Sequence, residues 1–217
     1  MNTRSLTFHV SESIGSVSAK LEVPDKMNYI LTLAHGAGAG MNHTFMVGLA
    51  KALAKERIGT LRFNFPYMEQ KKRRPDVPAV AHATVEAALH EVHKLFPDVP
   101  AFASGKSFGG RMSSQFLALQ SPDFVKGIIF FGFPLHPAGK PGTERADHLK
   151  NVSVPMLFLQ GTRDELATWS LITEVCSGLP RATLVPLERA NHAFYIPKSD
   201  AWPILASETA RWLGRLN

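Results

Sequence analysis

The chain is poor in cysteine, in acidic residues and in long apolar runs. Cys176 is its single cysteine, which excludes an internal disulfide and a cysteine-based zinc site and leaves nothing that demands an oxidising compartment. The longest apolar stretches, such as GIIFFGF at 127–133, fall far below the ~18 residues that span a bilayer. The opening MNTRSLTFHVSES carries no apolar block to serve as a secretory core, so a soluble cytoplasmic protein with no membrane partner is expected. Asp and Glu number 18 against 24 Lys and Arg, a formal charge of +6. Such an excess favours nucleic acid, anionic lipid or acidic substrates through its long-range field. Part of it is local, in the run Lys71, Lys72, Arg73 and Arg74. No recognition motif organises the nearby Phe65 and Tyr67, so the run reads as a solvated loop and no nucleic-acid partner is expected.

What is present is core material. Hydrophobic residues make up 45% of 217 positions, enough to exclude intrinsic disorder and, at ~150 residues per domain, to predict one domain over 1–217. Apolar runs alternate with helical periodicity. Strands are expected at Tyr29–Ala34, Gly59–Phe65, Ala101–Ser104, Val125–Phe131, Met156–Gln160 and Ala182–Pro186. Helices are expected at Phe45–Arg57, Val80–Phe96, Arg111–Gln120, Trp169–Ser177 and Trp202–Leu216. The strands are near-continuously apolar, as when helices cover both faces of a parallel sheet. That alternation predicts a mostly parallel, doubly wound α/β sheet of about seven or eight strands. Residues 5–22 read as an antiparallel hairpin at its edge. The irregular stretch 133–151 is too short for a cap domain but long enough to wall a cleft.

Gly105-Lys106-Ser107-Phe108-Gly109 is a G-x-S-x-G pattern between a strand and a helix. A serine hydroxyl attacks a carbonyl only when it is exposed, held in position and deprotonated by a base. A strand–turn–helix elbow supplies the first two conditions, and its glycines relieve crowding at the turn. A P-loop is excluded because Pro100 stands where its first glycine belongs, and Met41 occupies the third glycine position of a G-x-G-x-x-G. Instead His35-Gly36-Ala37-Gly38 reads as an H-G-x-G loop. It pairs the Ala37 amide with that of Phe108 as oxyanion donors, each worth ~3 kcal/mol.

The order serine, acid, histidine then leads to Asp164, just past a strand end, and to His192 on the loop before the last helix. Glu165 competes with Asp164 for the acid. His90-Glu91-Val92-His93 lacks the spacing of H-E-x-x-H and reads with His82 and Glu86 as a solvated face. His43, His136 and His148 lie in loops able to line the cleft. No metal triad and no cofactor are expected.

With these residues in view, the chain resembles a small α/β-hydrolase-like family. That family includes dienelactone-hydrolase-like bacterial proteins, a testis-expressed protein and a subunit of a histone-acetyltransferase complex. The likeness runs in order through LAHGAGAGMNHTFM, LRFNFPYMEQKKRRPD, GKSFGGR, FPLHPAGKP, HLKNVSVPMLFLQGTRDE and ANHAF. It implies the α/β-hydrolase fold without a large cap domain. It also implies Ser107 as nucleophile, Asp164 as acid and His192 as base, with Arg62, Asn64 and Tyr67 near the substrate. Asn64 stands where the family pattern more often has aspartate. His35, Arg62, Tyr67 and His136 are the expected substrate contacts. The expected activity is a serine hydrolase cleaving a small ester or related acyl bond through an acyl-enzyme. The alternative is a hydrolase-fold scaffold with little catalysis.

Overall fold

Successive residues of each central strand divide between two helical layers. On β7 (Met156–Gly161), Met156 and Phe158 join one cluster while Leu157 and Leu159 join the other. On β6 (Val125–Phe131), Ile128 and Phe130 separate in the same way from Ile129 and Phe131. A strand with both faces covered has no solvent side, so it reads as an unbroken apolar run. The computed structural model describes residues 2–216.

The other strands are β1 (Asn2–Ser11), β2 (Gly15–Val23), β3 (Tyr29–Ala34), β4 (Ile58–Phe63), β5 (Ala101–Lys106) and β8 (Ala182–Leu187). All eight form one sheet in the order β1-β2-β4-β3-β5-β6-β7-β8. β1 pairs antiparallel with β2, and β2 antiparallel with β4, so the N-terminal hairpin caps one edge. From β4 to β8 every pairing is parallel. Helix α1 (Thr44–Lys55) and helix α6 (Ala201–Leu213) cover one face. Helices α3 (Pro78–Leu95), α4 (Phe108–Leu119) and α5 (Trp169–Ser177) cover the other. The chain leaves β3 for β4 on one side and returns to β5 on the other. The carboxyl ends of β3 and β5 therefore flank a topological switch point, where open α/β sheets bind ligands.

Several boundaries differ from expectation by a few residues, and three of these differences have a clear physical reason. Phe65 does not extend β4; it precedes a short helix α2 (Pro66–Glu69) whose first residue is proline. Pro78 likewise opens α3 rather than preceding it, because the fixed φ of proline suits the first helical position. Helix α4 starts at Phe108, three residues ahead of the expected Arg111, with Gly109 and Gly110 in its first turn. A Cβ on Gly109 would lie 2.4 Å from the Ala34 carbonyl oxygen, and one on Gly110 would lie 2.8 Å from that of Gly105. These glycines let the helix press onto the strand ends. The stretch 133–151 contains a 3-10 segment, Glu144–Asn151, that buries Ala146 and Leu149 and packs on α4. It contributes nothing to the cleft described below.

Candidate active site

Ser107 occupies the turn between β5 and α4 with φ 50° and ψ −115°. A non-glycine residue in that region costs on the order of 1–3 kcal/mol and persists only where its surroundings impose it. The strain lifts the hydroxyl out of both elements, and Ser107 Oγ lies 2.8 Å from His192 Nε2. His192 Nδ1 lies 2.8 Å from Asp164 Oδ2. With the imidazole proton on Nδ1, that nitrogen donates to the carboxylate and Nε2 accepts from the serine.

The carboxylate is itself fixed. Asp164 Oδ2 accepts from Gln160 Nε2 at 2.6 Å, and Oδ1 accepts from the Leu166 amide at 2.7 Å. Gln160 Oε1 accepts in turn from the Phe133 amide at 2.8 Å. The Asp164 side chain is 1% exposed against 14% for His192, so the carboxylate is dry and the imidazole faces the cleft. Glu165, the competing acid, takes the His192 amide on Oε2 at 3.2 Å and stays exposed. Its carboxylate meets the main chain of the histidine and not its ring.

Ser107 and His192 open onto a cavity of about 400 Å³. The Gly36–Ala39 loop forms one wall; Phe45 and Met46 of α1, Leu166 and Ala193 add apolar surface, and His43, Lys106 and Glu165 add polar and charged groups. Among the described residues neither the Ala37 nor the Phe108 amide has a protein acceptor. The Phe108 amide is the first of α4, a position left unpaired by helix geometry. His43 reaches the cavity rim, where its Nδ1 accepts from the Phe45 amide and caps α1.

None of the four residues expected to touch substrate, His35, Arg62, Tyr67 and His136, is in the cavity lining. His35 is fully buried; its Nδ1 donates to the Gly36 carbonyl at 2.9 Å and its Nε2 accepts from the Phe65 amide at 3.1 Å. Burial pushes its pKa down to about 4, so it is a neutral pin between the loop after β3 and the start of α2. Tyr67, buried with its pKa raised to about 12 by desolvation, donates its hydroxyl to the same Gly36 carbonyl at 3.4 Å. Arg62 is spent on an internal ion pair. Its Nη2 and Nε donate to Glu22 Oε2 at 2.7 and 3.1 Å, while Nη1 donates to the Met41 carbonyl at 2.7 Å. Asn64 Oδ1 takes the Met41 amide at 2.9 Å, a contact that needs no charge. Four side chains, His35 just past β3, Arg62 on β4, Asn64 just past β4 and Tyr67 on α2, thus hold the 36–41 loop. His136 closes a separate turn, with Nδ1 donating to the Pro137 carbonyl and Nε2 accepting from the Thr168 amide, both at 2.9 Å.

His148 pairs with Ser114 at 2.8 Å, away from the cavity lining. His93 stacks on Phe124 with ring centroids 4.2 Å apart, so the polar side of α3 is partly covered. The basic run 71–74 is exposed and absent from the cavity lining. Among the described residues no group of three or more His, Cys, Asp or Glu side chains is arranged to hold a metal ion, and no helix is long and apolar enough to cross a membrane. Two participants escaped the sequence reading. Gln160 is the one polar residue of MLFLQ; Lys106 stands inside the G-x-S-x-G pattern at a position where the pattern specifies nothing.

Known structures share this architecture throughout. A dienelactone hydrolase from Anabaena variabilis superposes with TM-score 0.79 at 18% identity, over 99% of this chain and 97% of its own. The esterase domain of a Rhodothermus marinus protein gives 0.76 at 16% identity, over 100% of both chains. A serine hydrolase without a lid from Xanthomonas campestris gives 0.75 at 22% identity, over 98% and 95%. At these identities the likeness is one of fold. The sequence of residues 27–203 matches the family described as the alpha/beta hydrolase domain, and with so much of its length covered the chain belongs to that family.

Proposed function

We propose that the chain is a serine hydrolase that cleaves a small ester or related acyl bond through an acyl-enzyme. The observation that carries this reading is the unbroken relay from Ser107 Oγ to His192 Nε2 and from His192 Nδ1 to Asp164 Oδ2, each step 2.8 Å. In it His192 takes the Ser107 proton as Oγ attacks the carbonyl carbon. Asp164 holds the imidazole in the tautomer that can accept that proton and stabilises the imidazolium that results. The amides of Ala37 and Phe108 receive the oxyanion. His192 then protonates the leaving group and, in the second half, activates water to release the acid.

The cavity supports a small acyl group. Its volume of about 400 Å³ is near the lower end of ligand sites, which run from ~300 to ~1,000 Å³. Structural neighbours named as a dienelactone hydrolase and an esterase favour an ester or lactone carbonyl.

A fluorophosphonate probe tests the nucleophile. The parent is expected to label with one equivalent and to turn over short acyl esters. Ser107→Ala should do neither while keeping its fold, since alanine keeps the Cβ and the change removes only the hydroxyl. Equal labelling of the alanine variant would remove Ser107 from the mechanism.

A further inference from the structure

Lys106 precedes the nucleophile in the chain, and its ammonium reaches across the cleft to the peptide of the base. Nζ donates to the His192 carbonyl oxygen at 2.7 Å. It also sits over two aromatic faces, 5.3 Å from the Phe194 ring centroid and 5.9 Å from that of Phe45. Those rings stack on each other at 5.6 Å with 14° between their planes. Gly132 borders the ammonium and the Phe194 ring with a left-handed φ of +75°, a conformation that favours glycine. Phe194 itself takes a left-handed φ of 61°, which turns its ring back under the ammonium.

The loop that carries His192 joins β8 to α6 and has no strand ladder to hold it. It is secured by scattered bonds, among them the Arg163 amide on the Ala190 carbonyl, the Arg189 amide on Thr162 Oγ1, the His192 amide on Glu165, the Tyr195 amide on Asn191 Oδ1 and the Lys106 ammonium on the His192 carbonyl. Apart from the bond between His192 and Ser107 themselves, only the Lys106 bond among these ties the base to the nucleophile's own turn. The ammonium contact is charge-assisted, and such bonds are about twice as strong as neutral ones.

The geometry points to Lys106 as a positioning residue that locks the His192 loop to the nucleophile elbow and so keeps the base within hydrogen-bonding reach of Ser107. It rests on the reading of Ser107 and His192 as nucleophile and base. Lys106 acts through the backbone of His192, so its loss should slow both acylation and deacylation, with substrate binding little changed. Burial lowers its pKa to about 8, against the opposing pull of Asp164 and Glu165. Those carboxylates face it from the β7–α5 turn and His192 from the β8–α6 loop, while His43 lines the same cavity from the cap of α1. At neutral pH the ammonium is charged; above about pH 8 it loses the charge that strengthens the clamp.

The experiment compares the parent with Lys106→Met, Lys106→Gln and Lys106→Arg for ester turnover and for the rate of fluorophosphonate labelling, with circular dichroism to count the folded fraction. Misplacement by an ångström costs a catalytic site up to ~100-fold. Lys106→Met should therefore lower kcat and the labelling rate per folded molecule by about 10- to 100-fold, with KM within about twofold. Lys106→Arg should recover much of the loss and keep its activity above pH 8, where the parent declines. Lys106→Gln, which retains a neutral donor, should fall between them. Unchanged kcat in Lys106→Met and Lys106→Gln overturns the proposal, as does a rise in KM alone, which would make Lys106 a substrate contact. If the parent itself fails to label, the assignment of Ser107 falls and this inference with it. A labelling parent with an equally reactive Lys106→Met removes only the inference.

Discussion

Two adjacent carboxylates, Asp164 and Glu165, approach His192 from the same turn but meet different atoms. The buried Asp164 reaches the ring nitrogen; the exposed Glu165 reaches the backbone amide. Asp164→Asn keeps the shape and presents an amide where the ring needs an acceptor, so turnover should fall by roughly 10⁴-fold, the loss seen when a triad tautomer is wrong. Glu165→Gln keeps an acceptor for the His192 amide, and turnover should stay within about threefold, since that contact is exposed and neutral amides replace such acceptors at little cost. Steady-state rates on one short ester decide the matter. A mild Asp164→Asn with a crippled Glu165→Gln would exchange the two roles. Ser107, Asp164 and His192, which the structure brings into one hydrogen-bonded chain, could be singled out from sequence because each follows a strand's carboxyl end in the order serine, acid, histidine. Lys106 and Gln160 were not legible in this way: a motif fixes its own letters, and these two act across gaps of 86 and 4 positions through contacts that only the folded chain brings about. His35, Arg62 and Tyr67 stand at the expected end of the sheet, but their polar ends are bonded to the 36–41 loop and to Glu22 and not to the cavity. Spacing locates a residue along a strand without saying whether its polar end meets the cavity or another loop.

At the level of elements, apolar runs identified every strand from β3 to β8, and the N-terminal hairpin expected over 5–22 stands at the sheet edge as β1 and β2. Proline misled because its stopping role before Pro66 and its starting role at Pro66 and Pro78 share one residue. The junction between β3, β4 and α2 is held by His35, whose ring packs edge-on against Phe65 and Tyr67 at 5.0 and 5.7 Å. That environment has no room for a charged imidazole. The folded pKa is about 4 against an ordinary value near 6.5. Between these values the unfolded chain binds a proton that the folded chain refuses, so stability is whole above pH ~6.5 and is lost as pH falls towards 4. The loss from this group amounts to about 3 kcal/mol at ~1.4 kcal/mol per unit. Denaturant unfolding at pH 7, 5.5 and 4.5 should show the decline, and His35→Gln, which titrates nowhere in the window, should flatten that share of it. Parallel pH curves for parent and variant would mean that His35 is accessible to protons in the folded state.

For the molecule as a whole, the strand order gathers the loops after β3, β5, β7 and β8 at one edge of the sheet, and the loop after β4 with its basic run emerges at that same edge. Tyr67 links the two regions, since its hydroxyl holds the Gly36 carbonyl while its own carbonyl accepts from the Lys72 amide at 2.8 Å. Lys71, Lys72, Arg73 and Arg74 touch nothing in the cavity, so any influence on catalysis must pass through the field. A formal charge of +6 with four cations on the ligand-binding edge should raise the local concentration of an anionic substrate and leave a neutral one indifferent. Exposed charges are screened over ~8 Å at physiological ionic strength. The expected result is that kcat/KM for a carboxylate-bearing ester falls as salt rises, while kcat/KM for a neutral ester of the same acyl group holds constant. Replacing all four residues with Gln lowers the formal charge from +6 to +2. At low salt that variant should behave towards the anionic ester as the parent does at high salt, with kcat on the neutral ester unchanged because no residue of the cavity has moved. Should the variant keep the parent's ratio of anionic to neutral activity at low salt, the run does no steering and the field at the cleft is set by Lys106 and its neighbours alone.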